Sequence, residues 1–318
     1  MFAEAFKGTV AGLAESFILG IIGYLLIKRN FLGEAGLSAL SRLVIEVTLP
    51  FLIFCRLIQD FRFDAFPNWW LFPLISLAIT LLGLLVGWFF SGFISGQRGK
   101  LQFLSLVSFQ NSGYLPLALL GTLLAPEKAQ TIFIYLFLFL LGFNLLMFSL
   151  GIYLLTFSQA KKFDWWSLLN PPVIATLAGL AVVYFNLTRF FPSWLIHPLQ
   201  LAGDCTLPLA IFVVGGNIAA IRLVKVEKRA MALMALAKLV IMPALGLWLV
   251  FVLKLPELFG LLIVLELAMP PATNLSVITS HYRQDDLLIS QGIFIGHMVS
   301  LITVPVFLSF YFMINMLK

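Results

Sequence analysis

Charge is scarce in this chain. Only 11% of its 318 residues are Asp, Glu, Lys or Arg, against roughly a quarter in soluble globular domains, while 61% are hydrophobic and the mean hydropathy is +1.05. No water-soluble core can absorb that much apolar surface. Cysteine is nearly absent as well: Cys55 and Cys205 both fall in apolar runs, without the spacing of a disulfide framework or a zinc site, and they read as small packing residues. Long polar stretches are lacking, so there is no room for an appended soluble signalling domain. His-Glu-x-x-His, Gly-x-Ser-x-Gly and a Cys–His set within one span are missing too, which argues against an intramembrane enzyme. The net charge of +6 is dispersed among short loops, where anionic lipid head groups can meet it, and nucleic acid is not an expected partner.

What the chain has is apolar runs of membrane-spanning length. A bilayer core of about 30 Å takes on the order of 20 apolar residues per helix. Such runs recur near residues 11–28, 36–58, 69–95, 101–124, 129–157, 170–187, 198–221, 230–254, 258–280 and 287–315. The predicted fold is all-α and polytopic, with about ten transmembrane helices. The first run follows the acidic Glu4, lacks a cleavage signature and contains Glu15, so it reads as a retained helix. Most Lys and Arg fall in the odd-numbered connections, which hold Lys28, Arg29, Arg98, Lys100, Lys161, Lys162, Arg222, Lys225, Lys228, Arg229 and Arg283. By the positive-inside rule these loops are cytoplasmic and both termini extracytoplasmic, in a multi-pass cell membrane protein.

An internal repeat organises the runs. Glu46-Val47-Thr48-Leu49-Pro50-Phe51-Leu52-Ile53-Phe54 recurs as Asp204-Cys205-Thr206-Leu207-Pro208-Leu209-Ala210-Ile211-Phe212, a constant offset of 158 residues from Thr48 to Thr206. The same offset lays run one on six, three on eight, four on nine and five on ten. Five helices per half send the second half into the membrane from the opposite side, predicting a 5+5 inverted repeat. Its parts are residues 1–157, a cytoplasmic linker at 158–169, and 170–318. Inverted repeats place a solute site near the midplane and permit alternating access.

Two runs are interrupted in paired positions. The fourth contains Ser108-Phe109-Gln110-Asn111-Ser112-Gly113-Tyr114-Leu115-Pro116 and the ninth Glu266-Leu267-Ala268-Met269-Pro270-Pro271-Ala272-Thr273-Asn274. Proline removes a backbone donor and clashes with the preceding turn, so each run is predicted to unwind, which membrane depth tolerates only inside protein or along a watery cavity. Two half-helix N-termini then meet near the membrane centre and favour an anionic group. Gln110, Asn111, Ser112, Gly113, Tyr114, Pro116, Pro270, Pro271, Thr273 and Asn274 are the candidate substrate-binding residues. The competing reading is a pair of kinked helices glued together by polar side chains.

Carboxylates inside the runs are the coupling candidates: Glu46, Asp204 and Glu266, with Glu15 also in a helix. An unpaired charge at such depth costs at least about 3 kcal/mol, which makes each a functional suspect. Glu46 and Asp204 also fit a repeated structural ion pair. No cofactor is expected and no metal site is formed, apart from a coupling ion, a proton or a sodium ion near Glu266. Lys238 reads as a lysine that snorkels to the cytoplasmic surface, and His297 as a hydrogen-bonded core histidine or a proton shuttle.

The Thr-Leu-Pro elements at 48–50 and 206–208, the Asn111–Pro116 run and Ala268-Met269-Pro270-Pro271-Ala272 resemble the auxin efflux carrier family over essentially the full chain. That family includes plant auxin carriers and bacterial permeases for malate and malonate, and is related in fold to the bile acid sodium symporters. The resemblance implies helices four and nine crossing at proline breaks, helices 1, 2, 6 and 7 as scaffold, and 3–5 and 8–10 as an elevator-like transport domain. The plant carriers have a long loop after helix five and an acid in helix three. Here Ser158–Leu169 is short and the third run has no acid, so a compact prokaryotic-type permease fits better. The expected function is secondary transport of a small organic anion, a mono- or dicarboxylate or an auxin-like acid. The alternatives are a sodium-coupled symporter of the bile acid type and a channel-like facilitator. Expected partners are that anion, the lipid bilayer and, in a homodimer, a second copy.

Overall fold

A computed structural model describes residues 2–157, 165–221, 226–281 and 287–316. Lys161, Lys162, Arg222, Lys225, Arg283 and most of the 158–169 linker lie outside the described residues, as does the Glu15 side chain. Helices account for nearly all the rest, and no strand occurs among the described residues. That is what lipid demands, because every buried N–H and C=O must be satisfied within its own segment.

The helices are α1 (Phe2–Lys28), α2 (Glu34–Asp60), α3 (Leu71–Ser91), α4 (Gln97–Ser108), α5 (Tyr114–Leu123), α6 (Pro126–Thr156), α7 (Pro171–Tyr184), α8 (Ser193–Ala220), α9 (Lys228–Leu253), α10 (Glu257–Ala268), α11 (Asn274–His281) and α12 (Leu287–Met316). Six of them, α2, α3, α6, α8, α9 and α12, are long and apolar enough to cross a membrane. The runs 101–124 and 258–280 each resolve into two short helices, α4 with α5 and α10 with α11, as their prolines and amides predict. Local signals set several ends: Pro126 and Pro171 open α6 and α7, where the missing N–H has no partner to lose. The side chain of Asn170 caps α7 by accepting from Val173 N at 3.1 Å.

The molecule is apolar outside and mixed inside. Along α3, Leu74, Leu77, Leu81, Leu85 and Trp88 are exposed at helical spacing while Ser76, Thr80 and Gly83 on the opposite side are buried. A soluble helix shows the reverse, so the outward stripe is a lipid-facing one.

Packing pairs α1 with α8, α2 with α7, α3 with α4 and α6, and α10 with α9 and α12. Small residues allow the closest of these approaches, as in membrane helix pairs generally. A Cβ on Gly215 would collide with the carbonyl of Gly20, so α1 and α8 touch backbone to backbone there.

Helices α2, α6 and α9 each contain a π turn, at Val44–Thr48, Met147–Gly151 and Ala237–Ile241. Such turns carry one residue more than α-helical spacing and concentrate near functional sites. The turn in α9 contains a charged residue: Ala237, Lys238 and Leu239 are buried in it, and Lys238 is 0% exposed. The snorkelling expected of Lys238 is therefore corrected: its side chain points into the protein.

Candidate functional site

The two breaks hold each other. Between α4 and α5 the backbone of Phe109–Gly113 is unwound, and between α10 and α11 so is Met269–Thr273. They run antiparallel: Asn111 N donates to Pro270 O at 2.8 Å and Ala272 N donates to Phe109 O at 2.9 Å, a bridge centred on Gln110 and Pro271. Each break thereby satisfies groups that the other leaves without a helical partner. Helix α12 makes room for them at Gly296, where a Cβ would stand 2.5 Å from the Pro271 ring.

Beside this crossover lies a cavity of about 60 Å³, room for several waters. Polar groups on its wall come from Asn111, Ser112, Asn144, Asn170, Thr273 and Asn274, and apolar ones from Ile45, Leu49, Phe143 and Phe148. Of the residues expected to bind substrate, Gln110, Asn111, Ser112, Gly113, Tyr114, Thr273 and Asn274 reach its wall. Pro116, Pro270 and Pro271 are buried without lining it; Pro270 contributes its carbonyl to the bridge. The first residues of α5 and α11 sit at the cavity, which directs the positive ends of two helices at one small volume. Among the described residues no charged side chain lines it.

Further donors come from residues that the motif pattern did not flag. Asn144 projects from α6. Asn170 spends its oxygen on capping α7, and its Nδ2 is buried with no partner among the described residues. The Asn-Pro-Pro sequence was a legible cap signal, but nothing in it announced a second use. Asn111 is itself held from behind. His297 Nδ1 donates to Ile293 O at 2.8 Å, which leaves Nε2 as the acceptor facing Asn111 Nδ2 at 3.4 Å; this fixes the tautomer by elimination.

At the same crossover the described residues hold a buried lysine and a buried carboxylate bridged by Gln110. Lys238 Nζ donates to Gln110 Oε1 at 3.3 Å, and Gln110 Nε2 donates to Glu266 Oε2 at 3.5 Å. An ammonium can only donate and a carboxylate only accept, so the intervening amide has one workable orientation. All three side chains are 0% exposed. The pair neutralises two charges that would each be costly alone at this depth.

Glu46 and Asp204 are elsewhere. Expected as buried carboxylates, they are 47% and 49% exposed, Glu46 bonded to Arg42 at 3.0 Å and Asp204 set 3.8 Å from Arg56. Their repeated element instead buries Thr48 and Thr206, whose hydroxyls have no partner among the described residues. Cys55 is buried, but Cys205 is exposed, which corrects its reading as a packing residue.

Comparison with known proteins agrees with this picture. The family model described as "Membrane transport protein" matches residues 10–164 and 155–308. A protein of Methanothermobacter thermautotrophicus described as an uncharacterized transporter is 26% identical over 303 residues, covering 94% of this chain and 97% of the relative. Protein PIN-LIKES 6 of Arabidopsis thaliana is 28% identical over 120 residues, 37% of this chain and 28% of that protein. The chain is a multi-pass membrane protein and belongs to the membrane transport protein family, of the auxin efflux carrier type that its motifs resemble.

Proposed function

We propose that the chain is a secondary carrier for a small organic anion, a mono- or dicarboxylate, whose carboxylate docks in the crossover cavity. The observation that carries this reading is the convergence of two helix N-termini and a set of neutral amides and hydroxyls on one small volume. Such a volume favours negative charge while placing no fixed positive charge in it. A carrier must also release its cargo, and neutral donors bind an anion less tightly than a guanidinium would. The cavity lies between two sets of elements. Ile45, Leu49 and Asn170 on one side come from α2 and the entry to α7; the crossover forms the other.

In this reading the architecture is ten spans in a 5+5 inverted repeat, α4–α5 and α10–α11 each counting as one broken span, with alternating access by elevator-like movement of the crossover against α1, α2, α7 and α8. The odd connections face the cytoplasm and both termini lie outside. Glu266 is the favoured coupling group, because it alone of the three candidate carboxylates reaches the crossover.

Uptake into proteoliposomes of radiolabelled malate, malonate and indole-acetate, under imposed pH, sodium and voltage gradients, tests this. Saturable, counterflow-driven uptake is expected, and continuous current without saturation would make the protein a channel. Asn111→Ala and Pro271→Ala should each abolish uptake of the active solute, and retention of wild-type rates by both would remove the crossover as the site. Asn170→Asp is sharper. Aspartate still caps α7, so the protein should fold normally, yet it replaces the Nδ2 donor by a negative oxygen facing the cavity. Apparent affinity should fall by at least about tenfold, the equivalent of one hydrogen bond to a charged group. Unchanged affinity would place the carboxylate away from α7.

A further inference from the structure

Lys238 is placed as a bound cation would be. Its ammonium ends against Gln110 Oε1 and reaches the Glu266 carboxylate only through that amide. The other carboxylate oxygen, Oε1, lies beside the Ser112 hydroxyl without a hydrogen bond of normal geometry. Helices α4 and α10 both stop here, so the negative ends of two helices face the same region. An amide oxygen, a carboxylate, a hydroxyl and two helix C-termini make up the oxygen donor set that hard cations take. The whole of it is sealed from solvent, with Lys238, Gln110 and Glu266 each 0% and Ser112 1% exposed.

We propose that this is a monovalent-cation site whose resident occupant is the Lys238 ammonium. The chain fills the site itself, so the carrier needs no sodium for transport. Removal of the side chain opens a site that takes Na⁺, K⁺ or NH₄⁺. The consequence for transport rests on the carrier reading above. Cation binding does not, and it can be measured on purified protein without any solute.

The test is thermal unfolding of the full chain in detergent, with choline chloride exchanged for NaCl, KCl or NH₄Cl at constant ionic strength. Wild type and Lys238→Arg should unfold at the same temperature in all four salts. Lys238→Ala should unfold earlier in choline and recover saturably in at least one of the small cations, since a ligand that binds only the folded state raises its unfolding temperature. Adding Glu266→Gln to Lys238→Ala should abolish that recovery. If Lys238→Ala does not fold in choline, its yield when purified throughout in each small cation supplies the same readout. A saturable sodium shift in wild type, or no cation response in folded Lys238→Ala, would overturn the proposal. In proteoliposomes, uptake by wild type should be indifferent to sodium, whereas Lys238→Ala should require the cation that restores its stability. Failure of uptake alone would count against the carrier reading and leave the cation site standing.

Discussion

Glu266→Ala should cost about 3–5 kcal/mol of stability, because it leaves the Lys238 ammonium buried and uncompensated. Both side chains are fully buried and tied to one amide, so no water is at hand to replace the lost partner. The double variant Lys238→Met/Glu266→Leu removes both charges and replaces them with apolar side chains. It should recover most of the loss, since exchanging a buried ion pair for apolar groups of similar size is often neutral. A double-mutant cycle built on unfolding temperature or urea midpoint makes the comparison. Additive costs would mean that Gln110 does not connect the two charges, whereas a large coupling energy would locate the connection at the crossover. On the proposed carrier reading, in which Glu266 is the coupling group, the double variant should nevertheless be impaired in transport.

Gly215→Leu should prevent folding. At this position an added Cβ already meets the Gly20 carbonyl, and Gly23 stands equally close to the Phe212 backbone. In lipid the two helices gain little from excluding water, so close backbone approach is a main source of their association. A leucine there must push α1 off α8 along several turns. Gly215→Ala should already lower the yield of monodisperse protein on fluorescence-detected size exclusion, and Gly215→Leu should eliminate it. Gly33→Ala is the matched control: nothing lies within 4 Å of its added Cβ, and yield should not change. Normal yield from Gly215→Leu would mean that α1 and α8 do not need this contact.

These outcomes rest on features that differ in how plainly the amino acids announced them. The all-helical character and six long apolar helices were legible because lipid permits few alternatives: a long apolar run in this composition has to be a helix. The breaks were legible for a chemical reason, since the amides and prolines of Gln110–Pro116 and Pro270–Asn274 suit a lipid-facing helix so badly that only an interruption explains them. Their pairing through Asn111 N and Ala272 N followed from geometry that only the folded chain supplies. Asn144 and Asn170 were missed because they come from neighbouring elements, and no local pattern tells a cavity asparagine from a capping one. Glu46 and Asp204 misled in the opposite direction. Their shared Thr-Leu-Pro context marked them as a matched pair, but likeness in sequence carries no information on whether a side chain turns inward or outward. Lys238 was misplaced because a lysine in an apolar run looks the same whether it reaches for the surface or for a buried acid, and its partners Gln110 and Glu266 stand on other elements.

Helices α2, α6 and α9 each carry one residue more than α-helical spacing allows, taken up within the π turn. Two of the turns put residues on the wall of the cavity, Ile45 and Phe148, and the third holds Lys238. Shortening α9 by one residue at Val240 would return the turn to ordinary spacing, keep the packing of the helix on either side of it, and re-aim only the side chains of the turn itself, Lys238 among them.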